Sequence, residues 1–271
     1  MGDARFLQGR PIRSSPSALE SGPMMTKSCS SLLRGAGLLA IVAIALGAIT
    51  LGAQTTPQTT KPMKIGFIGS GNIGGAIGEL MARAGHEVFF SSRNPDNLKP
   101  LVARVGARAR AGTPKEAIAF ADVVFIGVPY SSMPQIGQDY APALKGKIVL
   151  DAGNPNPRRD GAIAEAAVAK GAGIATQEHL PGARIVRAFN QLNNKVFLSE
   201  AHRAGEKVAV PLGGDDKEAL AVAARLVADA GFDPVIVGSL AASKSFDSSA
   251  PIFLKTLTAR ELRAALKLPA Q

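Results

Sequence analysis

From Met63 onward, short apolar runs alternate with longer segments whose apolar positions recur every three or four residues. Met63 to Ile68 reads as a strand buried on both faces. Ile73, Ile77, Leu80 and Met81 then share one helical face, which ends at Gly85. Val88 to Phe90 opens a second strand, "DNLKPLVARVG" predicts a helix whose start Pro100 restricts, and "ARARAG" is a weak third strand. "TPKEAIAF" opens a helix with Thr113 as cap and Pro114 in its first turn. "ADVVFIGVP" is the clearest strand, followed by a helix over residues 131–144 and a fifth strand in "KIVLDAGNP". "GAIAEAAVAKGAG" is a further helix, "ARIVRAFN" and "KVAVPLGG" are the sixth and seventh strands, and "DDKEALAVAARLVADAG" is strongly helical. "DPVIVGS" is the eighth strand, and "TARELRAALK" closes with a helix whose Thr258 and Glu261 form a capping box. Apolar strands alternating with helices predict an α/β fold, a single doubly wound and mostly parallel sheet spanning residues 63–271.

The pattern before Met63 is different. Residues 1–23 are polar without apolar period and read as a disordered leader or an overcalled start, since Met24 and Met25 begin a more ordinary layout. Residues 24–53 have the form of a secretory signal peptide or membrane anchor. Lys27 and Arg34 precede an uncharged run over residues 35–53, and Ala53 offers a small residue for cleavage. The run is about 20 residues, long enough to tether the chain in a bilayer if retained. Residues 54–62 read as a linker. The expected location is therefore the cell envelope, exported or anchored; translation from Met63 would instead leave a cytoplasmic protein.

Composition narrows the chemistry. Cys29 is the only cysteine, which excludes an internal disulfide and a cysteine metal cluster. His86, His179 and His202 show no ligand spacing, so no metal site is expected, and each reads as a surface or loop residue. The net charge of +10 favours anionic ligands. No basic run is interleaved with aromatics, which argues for a phosphate-bearing small molecule over nucleic acid.

"GSGNIG" (Gly69, Ser70, Gly71, Asn72, Ile73, Gly74) falls between the first strand and the first helix, the context a dinucleotide fingerprint requires. Gly69 permits the turn, Gly71 lets a pyrophosphate approach the backbone, and Gly74 allows close helix–strand packing with helix N–H groups toward the anion. About 20 residues on, where an NAD site carries a carboxylate for the ribose 2′-hydroxyl, the chain has Ser92, Arg93 and Asn94. A serine hydroxyl and a guanidinium suit a 2′-phosphate, so the residues point to NADP(H). A solvated turn with an incidental arginine is the alternative. Asp151 reads as a cap on the turn that follows it.

Six segments, "MKIGFIGSGNIG", "SSRNP", "ADVVFIGVPYSSM", "IVLDAGNPNP", "RIVRAFNQL" and "GFDPVIVGSL", occur in the order seen in deazaflavin (coenzyme F-420)-dependent NADP oxidoreductases. The chain resembles that family, and is similar to the reductase domain of STEAP metalloreductases, over nearly all of residues 63–240. The resemblance implies that Ser92 and Arg93 grip the 2′-phosphate. It lays Val128, Pro129 and Tyr130 over the ribose and nicotinamide, with Asn154, Pro155, Ala188 and Phe189 lining the nicotinamide end. It further implies direct hydride transfer between nicotinamide and a flavin or deazaflavin co-substrate, with no catalytic acid–base residue.

The leading expectation is an NADP(H)-dependent oxidoreductase acting on a small redox partner. A pyrroline-carboxylate-reductase-like imine reductase is a second reading, although little chain follows the alternating pattern to form the helical domain of those enzymes. A non-catalytic NADP-binding module that senses redox state or docks to a partner is a third, and a homodimer stays open. The N-terminal pattern carries its own test. Fractionation should place the native protein in the envelope, either cleaved near Ala53 or tethered; a mature N-terminus at Met63 in the soluble cytosol would contradict that.

Overall fold

The computed structural model describes residues 61–269. The leader, the signal or anchor segment with its tether, and most of the linker lie outside the described residues. The strands are β1 (Lys64–Ile68), β2 (Glu87–Ser91), β3 (Ala109–Gly112), β4 (Val123–Ile126), β5 (Ile148–Asp151), β6 (Arg184–Arg187), β7 (Ala209–Gly214) and β8 (Asp233–Gly238). They form one sheet in the order β3-β2-β1-β4-β5-β6-β7-β8. Every pairing is parallel except β6 with β7. Six strands thus follow the arrangement of a Rossmann dinucleotide fold, and the two beyond it extend one edge.

The connecting helices are α1 (Asn72–Arg83), α2 (Lys99–Val105), α3 (Pro114–Phe120), α4 (Met133–Leu144), α5 (Pro157–Asp160), α6 (Ala162–Lys170), α7 (Ala172–His179), α8 (Asn194–Glu200), α9 (Lys217–Asp229) and α10 (Ala259–Ala265). The expected caps are present. The Thr113 hydroxyl accepts from the Glu116 N–H at the start of α3 and Thr258 does the same from Glu261 at α10, each in a reciprocal capping box. Short α7 and α8, and the 3-10 segment Ala241–Phe246, were not separable in the sequence. Their apolar positions are too few to set a period.

The sheet is buried on both faces, which is why its central strands carry no polar alternation. One face packs Phe67, Phe90 and Phe125 beneath α1, with ring centroids 5.3 and 5.1 Å from Phe67. The core continues through Phe189, Phe197 and Phe232 toward α8 and α9. The other face buries Val124, Ile126, Val149 and Ile185 against α4 and α7 residues such as Ile136 and Ala175.

One histidine expectation is corrected here. His86 is 1% exposed, although it follows a helix stop and precedes β2. The Met63 N–H donates to Nδ1 at 3.1 Å, so the ring proton is on Nε2 and faces Asp229 Oδ2 at 3.2 Å. The imidazole thus ties the entry of β1 to the end of α9, a tertiary role that no local pattern signals. Burial holds its pKa below the ordinary histidine value, opposed by the Asp229 charge and reinforced by Arg225 and Arg108. Protonation at Nδ1 would also remove the acceptor for Met63.

The folded state therefore disfavours the imidazolium that the unfolded chain forms freely. Stability from this residue is present above the ordinary histidine value of 6.5 and is lost as pH falls toward the lowered folded value. The thermal midpoint should drop as pH is lowered through that window, and His86→Gln should flatten the dependence. An unchanged slope in the variant would contradict the assignment.

Candidate dinucleotide site

The site begins at the crossing of β1 and α1. Gly69 has φ +91°, and a Cβ there would fall 2.6 Å from both Gly127 O and Val128 Cγ1. At Gly74 a Cβ would sit 2.1 Å from Gly69 O, so the helix can start only if residue 74 lacks a side chain. Gly71 differs, since a Cβ there meets nothing within 4 Å and points into open space. The first turn of the 12-residue α1 has no acidic residue, and Gly71 provides no side-chain cap. Its unpaired N–H groups and positive dipole end are thus left for an anion. These features fit the pyrophosphate of a dinucleotide.

Ser70 has a second duty. Its hydroxyl donates to Ser91 O at 3.2 Å and accepts from Ser91 N at 3.0 Å. The glycine turn is thereby fastened to the end of β2. Ser91 is buried, with its hydroxyl donating to Phe67 O at 2.6 Å. The next residues turn outward. Ser92 is half-buried and its Oγ accepts from the Asn94 N–H at 3.1 Å. Arg93 is exposed, and its guanidinium makes no hydrogen bond or ion pair with the described residues.

A cleft of about 590 Å³ unites these parts. Gly69, Ser70, Gly71, Ser92, Arg93, Val128 and Pro129 all line it. No Asp or Glu occurs on the β2 side of that lining, which places the free guanidinium where an NAD site would hold a carboxylate. Asn72, Ile73, Gly74 and Asn94 are beside the cleft rather than in its wall. The lining also includes one face of α4, Gln135, Ile136, Asp139 and Tyr140, at helical spacing, with Ser132 at its N-cap. That face was legible as a period but not as a site.

The residues at the ends of β5 and β6 are outside this cleft. Asn154 and Asn190 bring the two strand ends together, with Asn154 Nδ2 donating to Asn190 O at 2.7 Å. Pro155 is buried. Tyr130, Ala188 and Phe189 narrow the expectation drawn from the resemblance, because all three are 0% exposed. The Tyr130 ring packs with Ile126, Met133 and Ile136 in the core, and burial pushes its phenol pKa up to about 12. The Phe189 ring lies between Phe125 and Phe197. Their side chains serve the core rather than the cleft wall. At Phe189 the backbone has φ +58°, a left-handed conformation uncommon for a bulky residue.

Beneath these strand ends is a group no motif announced. Arg187 is fully buried and donates from Nη1 to Asp151 Oδ2 at 3.0 Å and to Gly153 O at 2.6 Å. Its Nη2 donates to Asp247 Oδ1 at 2.8 Å. Burial opposes the guanidinium charge, but the two carboxylates outweigh it and hold the pKa above the ordinary value. Asp151 caps the following turn as expected, accepting from the Gly153 N–H at 2.8 Å, and it serves the buried pair as well. Asp247 also accepts from the Ala172 N–H at the start of α7. The available signal was an arginine at the end of an apolar strand. Its partner 60 residues away was not readable.

Residues 64–155 match the family model described as NADP oxidoreductase, coenzyme F420-dependent. This segment is thus similar to that family of NADP-dependent oxidoreductases. Metalloreductase STEAP3 of Rattus norvegicus is 27% identical over 188 residues, covering 68% of this chain and 36% of its own. The chain thus spans about a third of that curated relative. A hypothetical protein from Sinorhizobium meliloti is 29% identical, with a TM-score of 0.61, over 74% of this chain and 97% of its own. A candidate F420-dependent NADP-reductase from Arthrobacter sp. FB24 shares the fold at 22% identity and a TM-score of 0.56, over 68% of this chain and 88% of its own.

Removing the buried cation should expose how much the strand ends depend on it. Arg187→Met leaves two buried carboxylates without their partner and should cost about 3–5 kcal/mol in denaturant unfolding, with an unchanged m-value. A loss under about 1 kcal/mol would show that the carboxylates have another partner.

Proposed function

We propose that the described domain binds NADP(H) along the cleft and moves hydride between its nicotinamide and a small flavin- or deazaflavin-type redox partner. The observation that carries the reading is the unpaired Arg93 guanidinium beside Ser92, in the same cleft as Gly71 at the uncapped start of α1. The match of residues 64–155 to that family model supports the cofactor class. When bound, the nicotinamide supplies the redox chemistry. The chain's own work is to bind, orient and shield. The Gly69–Gly74 turn and α1 take the pyrophosphate, Ser92 and Arg93 the 2′-phosphate, and Val128 and Pro129 one wall of the nucleotide. The backbone about Asn154, Pro155, Ala188 and Phe189 frames the nicotinamide end, braced from below by Arg187. Transfer of this kind needs no positioned acid or base. The N-terminal segment extends the proposal to an envelope location, with residues 35–53 as signal or tether.

The test is calorimetric titration of NADPH and NADH. Arg93→Ala removes a charge-assisted contact that only the 2′-phosphate makes, worth roughly 1.5–3 kcal/mol, or about 10- to 150-fold in NADPH affinity. NADH affinity should stay unchanged, and adding Ser92→Asp should move the preference toward NADH. Equal losses for both cofactors would mean that Arg93 supports the loop and not the phosphate.

A further inference from the structure

The chain just after Asn154 carries a charge arrangement that the dinucleotide does not use. Arg158 and Arg159 lie in the short α5, and both are exposed. Arg159 is held in one orientation. Its Nε donates to Asp160 Oδ1 at 2.9 Å and its Nη2 to Asp160 Oδ2 at 2.8 Å, a bidentate fork. The same Nη2 donates to Asn154 O at 3.0 Å. The Asp160 side chain is 0% exposed, and its Oδ2 also accepts from the Asn156 N–H at 3.0 Å. Hydrogen bonds from Arg159 hold the Asp160 carboxyl well below the usual carboxylate range, although its burial opposes them.

This is more cation than a loop staple needs. Arg159 Nη1 and the whole Arg158 guanidinium make no hydrogen bond or ion pair with the described residues. Two guanidinium groups face the single charge of Asp160, so the pair keeps positive charge in excess and donors to spare. Its location is specific. α5 packs against the Tyr130–Ser132 turn, with the Ser131 N–H facing the Asp160 carboxylate, and Ser131 lines the cleft. Neither arginine lines the cleft itself, where α1 and Arg93 already answer the phosphates of the dinucleotide. An anion drawn to α5 therefore belongs to a second ligand.

We propose that Arg158 and Arg159 select a redox partner whose side chain is anionic, with Arg159 fixing its direction and Arg158 adding charge. This names the partner class within the proposed function and rests on that reading. Flavin mononucleotide and riboflavin share one ring system and differ by a phosphate, so the two probes isolate the charge. The experiment measures their binding to the full-length protein by quenching of flavin fluorescence, with NADP+ at saturation so that Arg93 is occupied. Flavin mononucleotide should bind at least about fivefold more tightly than riboflavin at low salt, an advantage that shrinks as salt rises. Arg158→Gln replaces an exposed side chain with no contact to lose, and it should bring the two affinities within about twofold. Arg158→Lys should keep most of the advantage.

Equal wild-type affinities, or a preference for flavin mononucleotide that survives in Arg158→Gln, would overturn the proposal. Binding of NADPH to the same protein, followed by calorimetry, separates this inference from the reading beneath it. NADPH binding without binding of either flavin would contradict the inference alone. Failure of NADPH to bind would remove both.

Discussion

The site depends on how closely α1 approaches the end of β1. With any side chain at residue 74, a Cβ would be driven to 2.1 Å from Gly69 O, and the helix would have to start elsewhere. Gly78 repeats the constraint one turn on, where a Cβ would meet the Phe90 ring at 2.3 Å. Two missing side chains thus set the height of α1 above the sheet. That height aims its uncapped N–H groups over the open space beside Gly71. The Ser70–Ser91 hydrogen bonds then carry the same register to β2, so that Ser92 and Arg93 emerge on the cleft.

The ends of β5 and β6 are held by different physics. Strand ends have no helix dipole or glycine contact to define them there. A buried charge group does that work, with Arg187 joining Asp151 and the Gly153 carbonyl at the end of β5 to the distant Asp247. A buried ion pair of this kind is a weak source of net stability, but it is costly to break, so it favours one arrangement of the loops above it. The asparagine pair Asn154–Asn190 and the left-handed Phe189 lie directly in those loops. The cleft is therefore shaped by close backbone packing, and the strand ends outside it by desolvated charge.

What could be read from the chain follows this division. The glycine spacing, the serine–arginine step and the capping boxes are local, and local residues determine their geometry. The central strands were equally legible, because strands buried on both faces, such as β4 and β5, leave uninterrupted apolar runs, whereas the edge strand β3 was only weakly marked. Contacts between distant segments were not. His86 looks like a loop residue until Asp229 is placed against it, and Arg187 looks like a strand-end charge until Asp247 arrives. The α4 face bearing Gln135 and Asp139 is a helical period in any α/β protein, and only the tertiary fold brings it to the same cleft as Arg93. Tyr130 and Phe189 show the converse. A residue within a motif can turn its side chain into the core.

The central claim is that the cleft takes its specificity from the 2′-phosphate, independently of the nicotinamide. The most direct measurement is calorimetric binding of 2′-phospho-ADP-ribose and of ADP-ribose to the unmodified protein at two ionic strengths. The account predicts that the phosphorylated fragment binds about 10-fold or more tightly, with an advantage that shrinks as salt screens the exposed guanidinium. Equal affinities for the two fragments at low salt would contradict it.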